Sequence, residues 1–63
     1  DLDAYNWLSQ YAPYYIDAIS TCLDDGVPPD SIRRYLSAQV GTERQAIAIR
    51  AEQAARHILR GNA

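Results

Sequence analysis

Residues 41–61 read GTERQAIAIRAEQAARHILRG and contain the start, the periodicity and the end of one long helix. Thr42 through Gln45 spells Thr-Glu-Arg-Gln, the T-x-x-Q pattern of a capping box, in which two side chains satisfy free N–H groups of the first turn. Gly61 is the residue type that most readily ends a helix in the left-handed conformation. The stretch therefore predicts a helix over residues 43–60.

The predicted helix has an apolar sector and a polar sector. At 100° per residue, the apolar sector contains Ile47, Ala51, Ala54, Ala55 and Ile58, flanked by Ala48 and Leu59. Its many alanines allow neighbouring helices to approach closely, so we expect this sector to face the core. The opposite sector is polar except for Ile49, a branched apolar residue in its middle.

Prolines and glycines divide the rest of the chain into shorter helical segments. Asp3 is placed to cap the first, Pro13 to begin the second, and Asp30 or Ser31 to cap the third. The predicted helices span residues 3–11, 13–25, 30–40 and 43–60.

Gly26 is expected in the left-handed conformation at the end of the second helix, with Val27 as the apolar residue of a Schellman-type stop. No segment alternates between apolar and polar residues with period two, which argues against strands. We therefore predict one all-α domain over residues 1–63, a small compact bundle of three to four short helices in which the last is the longest.

Length and composition exclude several classes of protein. A chain of 63 residues that is 48% hydrophobic and 22% charged is typical of a single globular domain. Its one cysteine, Cys22, cannot form an internal disulfide. No apolar run approaches the roughly 20 residues that span a bilayer, and no basic segment precedes an apolar stretch. We expect no membrane span and no signal peptide, hence a cytoplasmic protein.

Charge is divided unequally along the chain. Residues 1–31 contain six Asp and no basic residue, whereas residues 32–63 contain six Arg and two Glu, so the halves carry −6 and +4. Such asymmetry points to a partner of one sign. All six cations are arginine, and alanine occurs ten times, a bias that suggests a GC-rich bacterial or phage genome.

The polar sector of the last helix predicts a protein interface. Ile49, Gln53, Arg56 and Arg60 are spaced i, i+4, i+7 and i+11, which places them on one side of a helix. An apolar anchor among Arg and Gln suits a protein–protein contact, and Tyr14 is an additional candidate. We expect a protein partner or self-association, in which the acidic first helices of one copy attract the basic last helix of another.

The alternative prediction is a helix-turn-helix domain that binds DNA. Leu36 through Ile47 has the apolar residue, Val-Gly turn and apolar return of that motif, with residues 43–60 as the recognition helix. Arg44, Gln45, Ala48 and Ile49 would then face base edges, and Arg33, Arg34, Arg56 and Arg60 would contact phosphates. A sequence pI of about 5.0 argues against this alternative.

The remaining reactive residues do not assemble a catalytic or metal-binding pattern. His57 is the one histidine and is expected at a solvated rim, while Cys22 is expected as a small buried hydrophobic residue. Asp24, Asp25 and Asp30 lack the spacing of a calcium loop. We therefore expect no enzymatic activity, no metal, no cofactor and no small-molecule substrate.

Overall fold

A computed structural model describes residues 2–61 of the chain, and the side chains of all of these except Leu2 and Glu43. Asp1 and residues 62–63, the ends of the predicted domain, lie outside the described residues. The elements are α1 (Leu2–Tyr11), α2 (Tyr14–Asp24), α3 (Pro29–Gln39), a 3-10 helix (Thr42–Arg44) and α4 (Gln45–Leu59). The predicted all-α bundle is confirmed, and α4, with 15 residues, is its longest helix.

Prolines set the starts of α2 and α3. Pro13 is the N-cap residue of α2, so the helix begins at Tyr14, one position after the Pro13 start that the sequence predicted. At α3, Pro28 has an extended backbone and Pro29 is the first helical residue, so the predicted cap at Asp30 or Ser31 is wrong. The fixed φ of Pro29 begins the helix early, because a proline loses no hydrogen bond at that position.

The predicted capping box at the start of the last helix is also wrong. Thr42 lies in the 3-10 helix, and no side chain caps either that helix or α4. The Nε2 group of Gln45 instead donates to the carbonyl oxygens of Ser37, Val40 and Gly41, at 3.1, 3.4 and 3.4 Å. The 3-10 turn places Gln45 beneath the end of α3, whose last carbonyls need donors. Gln45 therefore joins the two helices.

The two predicted glycine stops are present. Gly26 has φ +86° and Gly61 has φ +77°. The N–H of Val27 donates to the Cys22 carbonyl at 2.9 Å and the N–H of Gly26 to that of Leu23 at 3.0 Å, which are the two bonds of a Schellman motif. Val27 packs against the core, so the stop also fixes the direction in which the chain leaves α2.

α4 is the central helix of the bundle. It packs against α1, α2 and α3, whereas α1 and α3 do not approach each other within residues 2–61. Four α4 alanines are completely buried, and they meet larger residues from the other helices. The alanines are Ala48, Ala51, Ala54 and Ala55, and the larger residues are Leu8, Ile19, Ile32 and Leu36. The outward side of α4 is therefore flanked by α1 and α3.

The predicted core sector of α4 needs two corrections at its edges. Leu59 is 60% exposed, because it faces the first residue of α3, Pro29, where the covering helix begins. His57, expected at a solvated rim, is only 6% exposed. Its ring lies 5.7 Å from that of Tyr5 on α1, so α1 covers this border of the polar sector.

The buried imidazole of His57 predicts a stabilising substitution. Its Nε2 atom has no hydrogen-bond partner among the described residues, and an unpaired buried polar group costs about 1–3 kcal/mol. We expect His57→Phe, which keeps an aromatic ring against Tyr5, to raise the free energy of unfolding by about 1 kcal/mol. Urea denaturation measures this, with His57→Asn, which leaves a buried amide, as the control. A less stable His57→Phe variant would contradict the prediction.

Candidate interaction surface

The exposed side of α4 is the candidate site, and we call Ile49, Gln53, Arg56 and Arg60 the α4 stripe. Gln53, Arg56 and Arg60 are exposed, and Ile49 is 48% exposed although it is branched and apolar. Arg60 follows the last residue of α4 as its C-cap, still in helical conformation. At 1.5 Å per residue the stripe is about 16 Å long. The structure thus brings together the four residues that the helical spacing predicted.

A shallow groove runs between the stripe and α1. It has a volume of about 370 Å³ and is lined by Asp3, Ala4, Trp7, Ala46, Ile49, Arg50 and Gln53. The guanidinium carbon of Arg50 lies 4.3 Å from the centre of the Trp7 ring, a cation–π contact worth about 0.5–1 kcal/mol at a partly exposed site. This contact holds both side chains beside Ile49, so the apolar anchor has rigid, amphipathic neighbours.

On the other side of the stripe, Glu52 joins α3 to α4. Its Oε1 lies 2.7 Å from Nε of Arg33, and its Oε2 accepts from Nη2 and Nε of Arg56, at 2.7 and 3.2 Å. Exposed ion pairs of this kind contribute about 0–1 kcal/mol to stability. Their effect on the surface is geometric, because one carboxylate fixes the orientation of two guanidinium groups.

The end of the stripe combines a cation with apolar surface. Arg56 and Arg60 share a hollow of about 240 Å³ with Pro29 and Leu59. Within the part of the chain that the structure describes, Arg60 has no ion-pair partner. The stripe therefore changes along its length from the apolar Ile49 to a basic end at Arg56 and Arg60.

The residues predicted to contact DNA differ in their exposure and in their partners, unlike the four exposed residues of the α4 stripe. Arg44 is exposed at the start of α4, but Gln45 is half-buried against the carbonyls of α3. Ala48 is completely buried, so the expectation that it faces a base edge is wrong. Arg34 pairs with Asp30 at 3.2 Å, and Arg33 with Glu52.

Tyr14 is exposed, but it lies apart from the α4 stripe. It is 65% exposed at the beginning of α2, with its ring 4.7 Å from that of Tyr15. It lines neither of the two hollows beside the stripe. Its position one helical turn before Ala18 places it on the side of α2 that turns towards α3.

Two features of this surface were absent from the sequence-based prediction. Glu52 and Arg56 are four residues apart on one helix, a spacing that predicts an ion pair, so this contact could have been found. The contact between Trp7 and Arg50 joins two helices separated by most of the chain, and no local pattern indicates it.

The structure and the comparisons with known proteins place few further limits on the site. No group of three or more His, Cys, Asp or Glu side chains within residues 2–61 could hold a metal ion. No helix in this part of the chain has both the length and the apolar character to cross a membrane. Comparisons with protein-family models, curated proteins and solved structures found no match to the chain.

Proposed function

We propose that this protein is a non-enzymatic helical binding module that docks on another protein chain through the α4 stripe. The observation that carries the proposal is Ile49, a half-exposed branched residue that lines the shallow groove between the stripe and α1. An apolar centre ringed by aromatic and arginine side chains is the composition of interface hot spots. We also propose that the protein is cytoplasmic and comes from a bacterium or a phage. Composition alone supports these two statements.

The partners of the arginines favour a protein over DNA as the ligand. Arg33 and Arg56 share Glu52, Arg34 pairs with Asp30, and Arg50 lies on Trp7. DNA binding draws its affinity from cations that neutralise phosphates, and arginines already paired with carboxylates contribute less to it. Intramolecular pairing instead orients the guanidinium groups for directional hydrogen bonds, which suits a protein surface.

Photo-crosslinking from position 53 tests the proposal. The photoreactive residue p-benzoylphenylalanine replaces Gln53 in the stripe or, as a matched control, the exposed Ser9 on α1. We expect irradiation of cells that produce the chain to yield a discrete crosslinked protein from position 53 and none from position 9. Crosslinking to nucleic acid from position 53 would favour the DNA-binding alternative, and the absence of any product would contradict both.

The variant Ile49→Asp shows whether such a product depends on the stripe. A carboxylate in the centre of a desolvated contact costs several kcal/mol, so we expect the crosslinked product to fall at least 10-fold. Because Ile49 is half-exposed, the helical circular dichroism should stay unchanged. Ser9→Asp, the same charge on another exposed helix, is expected to leave the product intact. Equal yields from both variants would contradict a role for Ile49.

A further inference from the structure

A second apolar depression lies between α2 and α3, and no residue of α4 lines it. α2 and α3 diverge there, and the space between them is lined by Ala18, Cys22, Val27, Ser31, Ile32 and Tyr35, which we call the α2–α3 groove. Its outer part has a volume of about 410 Å³ and an almost wholly apolar lining. The floor is formed by the core residues Ile19 and Leu36, so the groove opens away from α4.

Two carboxylates lie at the C-terminal end of α2, beyond the residues that line the groove. Asp25 follows Ala18 by seven residues, so the two residues lie on nearly the same side of α2, about 10 Å apart. Asp24 ends α2 and Asp25 is its C-cap, where the backbone carbonyls already concentrate negative charge. Among the described residues, neither carboxylate has an ion-pair partner. This side of α2 thus changes from apolar at Ala18, which lines the groove, to acidic at Asp25, just past the end of the helix.

The α4 stripe has the complementary pattern at the same spacing. Arg56 follows Ile49 by seven residues, again on nearly the same side of its helix and about 10 Å away. Arg56 pairs with Glu52, but Glu52 is shared with Arg33, so the three side chains together keep a charge of +1. Arg60 lies one turn further along, where it would extend past the end of α2. An apolar-to-basic stripe and an apolar-to-acidic side of α2 of equal length match when the two helices run parallel.

We propose that the α2–α3 groove binds the α4 stripe of a second copy of this chain. This proposal rests on the proposed function and names its partner. Ile49 of one copy lies against Ala18 and Tyr35 of the next, and Arg56 lies opposite Asp25. Tyr35 is 63% exposed in the single chain and would be covered by the contact.

The arrangement of the two surfaces determines the kind of assembly. The stripe lies on α4 and the groove lies between α2 and α3, and the two surfaces share no residue, so each copy offers one of each to different neighbours. Contacts between unlike surfaces are head-to-tail, and they form rings or open chains of molecules instead of twofold dimers. The average mass should therefore rise with concentration beyond that of a dimer. It should fall with added salt, because exposed charge pairs are screened.

Two complementary variants provide the decisive test. Ile49→Asp blocks the stripe and leaves the groove intact, whereas Tyr35→Asp places a carboxylate in the groove and leaves the stripe intact. Both positions are about half-exposed or more, so both variants should retain the circular dichroism of the wild type. By sedimentation equilibrium each variant alone should be monomeric, with its association weakened at least 10-fold. An equimolar mixture should form a dimer and nothing larger, because one stripe and one groove remain.

Cys22, which lines the groove, gives a second readout. Its rate of alkylation by a maleimide should fall as the wild-type concentration rises and stay constant for Ile49→Asp. Wild-type protein that remains monomeric at millimolar concentration, or a mixture of variants that remains monomeric, would overturn the proposal. A wild-type assembly insensitive to Tyr35→Asp would also overturn it. A stripe that crosslinks from position 53 to a different protein would leave the proposed function standing without this partner.

Discussion

Replacing Leu8 with alanine is expected to lower the free energy of unfolding by about 2–5 kcal/mol. Leu8 is completely buried, and it comes from α1 into the core that the α4 alanines line. Those alanines have no side-chain length with which to fill the space left by a missing leucine, so the cavity would persist. A domain of this length has a total stability of about 3–9 kcal/mol, so the substitution should remove a large part of it and lower the urea concentration at the midpoint of unfolding.

Leu59→Ala is the matched control for this experiment. The two leucines differ in burial, since Leu59 is 60% exposed at the end of α4. We expect its replacement to change the free energy of unfolding by less than about 0.5 kcal/mol. Urea denaturation followed by circular dichroism measures both variants. Similar losses at the two positions would contradict the core described above.

Replacing Ala51 with leucine is expected to be nearly as damaging, for the opposite reason. Ala51 is completely buried on the side of α4 that faces the other helices. Extra methylene groups at a close helix contact force side chains out of their rotamers and separate the backbones, which typically costs about 1–3 kcal/mol and occasionally more. We expect a lower melting temperature and a broader transition, together with loss of any association that depends on the stripe.

Ala46→Leu, the same substitution at an exposed position of α4, controls for the change in helix propensity. Because alanine and leucine are both good helix formers, its melting temperature should remain within a few degrees of the wild type. If Ala51→Leu were equally harmless, the alanines of α4 would not be setting the distance between the helices.

Local signals in the sequence predicted most of the fold. The stop at Gly26 and Val27 depends on a few neighbouring residues, and the burial of Ala51 and Ala54 follows from periodicity within a single helix. The caps were predicted less well. Because α3 begins at Pro29, its N-cap residue is Pro28 and not the expected Asp30 or Ser31. Because of the 3-10 turn, the Gln45 side chain bonds to a carbonyl of α3 and not to the first turn of its own helix.

Where the prediction was wrong or incomplete, the burial or the contact of the residue is determined by a second helix. His57 lies at the border of the apolar sector, where periodicity alone permits either exposure or burial, and Tyr5 on α1 covers it. Arg50 occupies the same border and is held by Trp7. The positions of the α4 stripe were predicted because the outward side of one helix needs no knowledge of its neighbours. The α2–α3 groove was missed because it exists only where two helices diverge.

The central position of α4 also has a consequence for how the domain folds while it is synthesised on the ribosome. A growing chain exposes α1, α2 and α3 first, and their apolar residues acquire most of their neighbours only when α4 emerges. Folding of these helices is therefore delayed until the final quarter of the domain has been synthesised, and a nascent chain arrested near Gly41 leaves them open to chaperones and proteases. In this domain the helix that is translated after the other three is the one that completes the core.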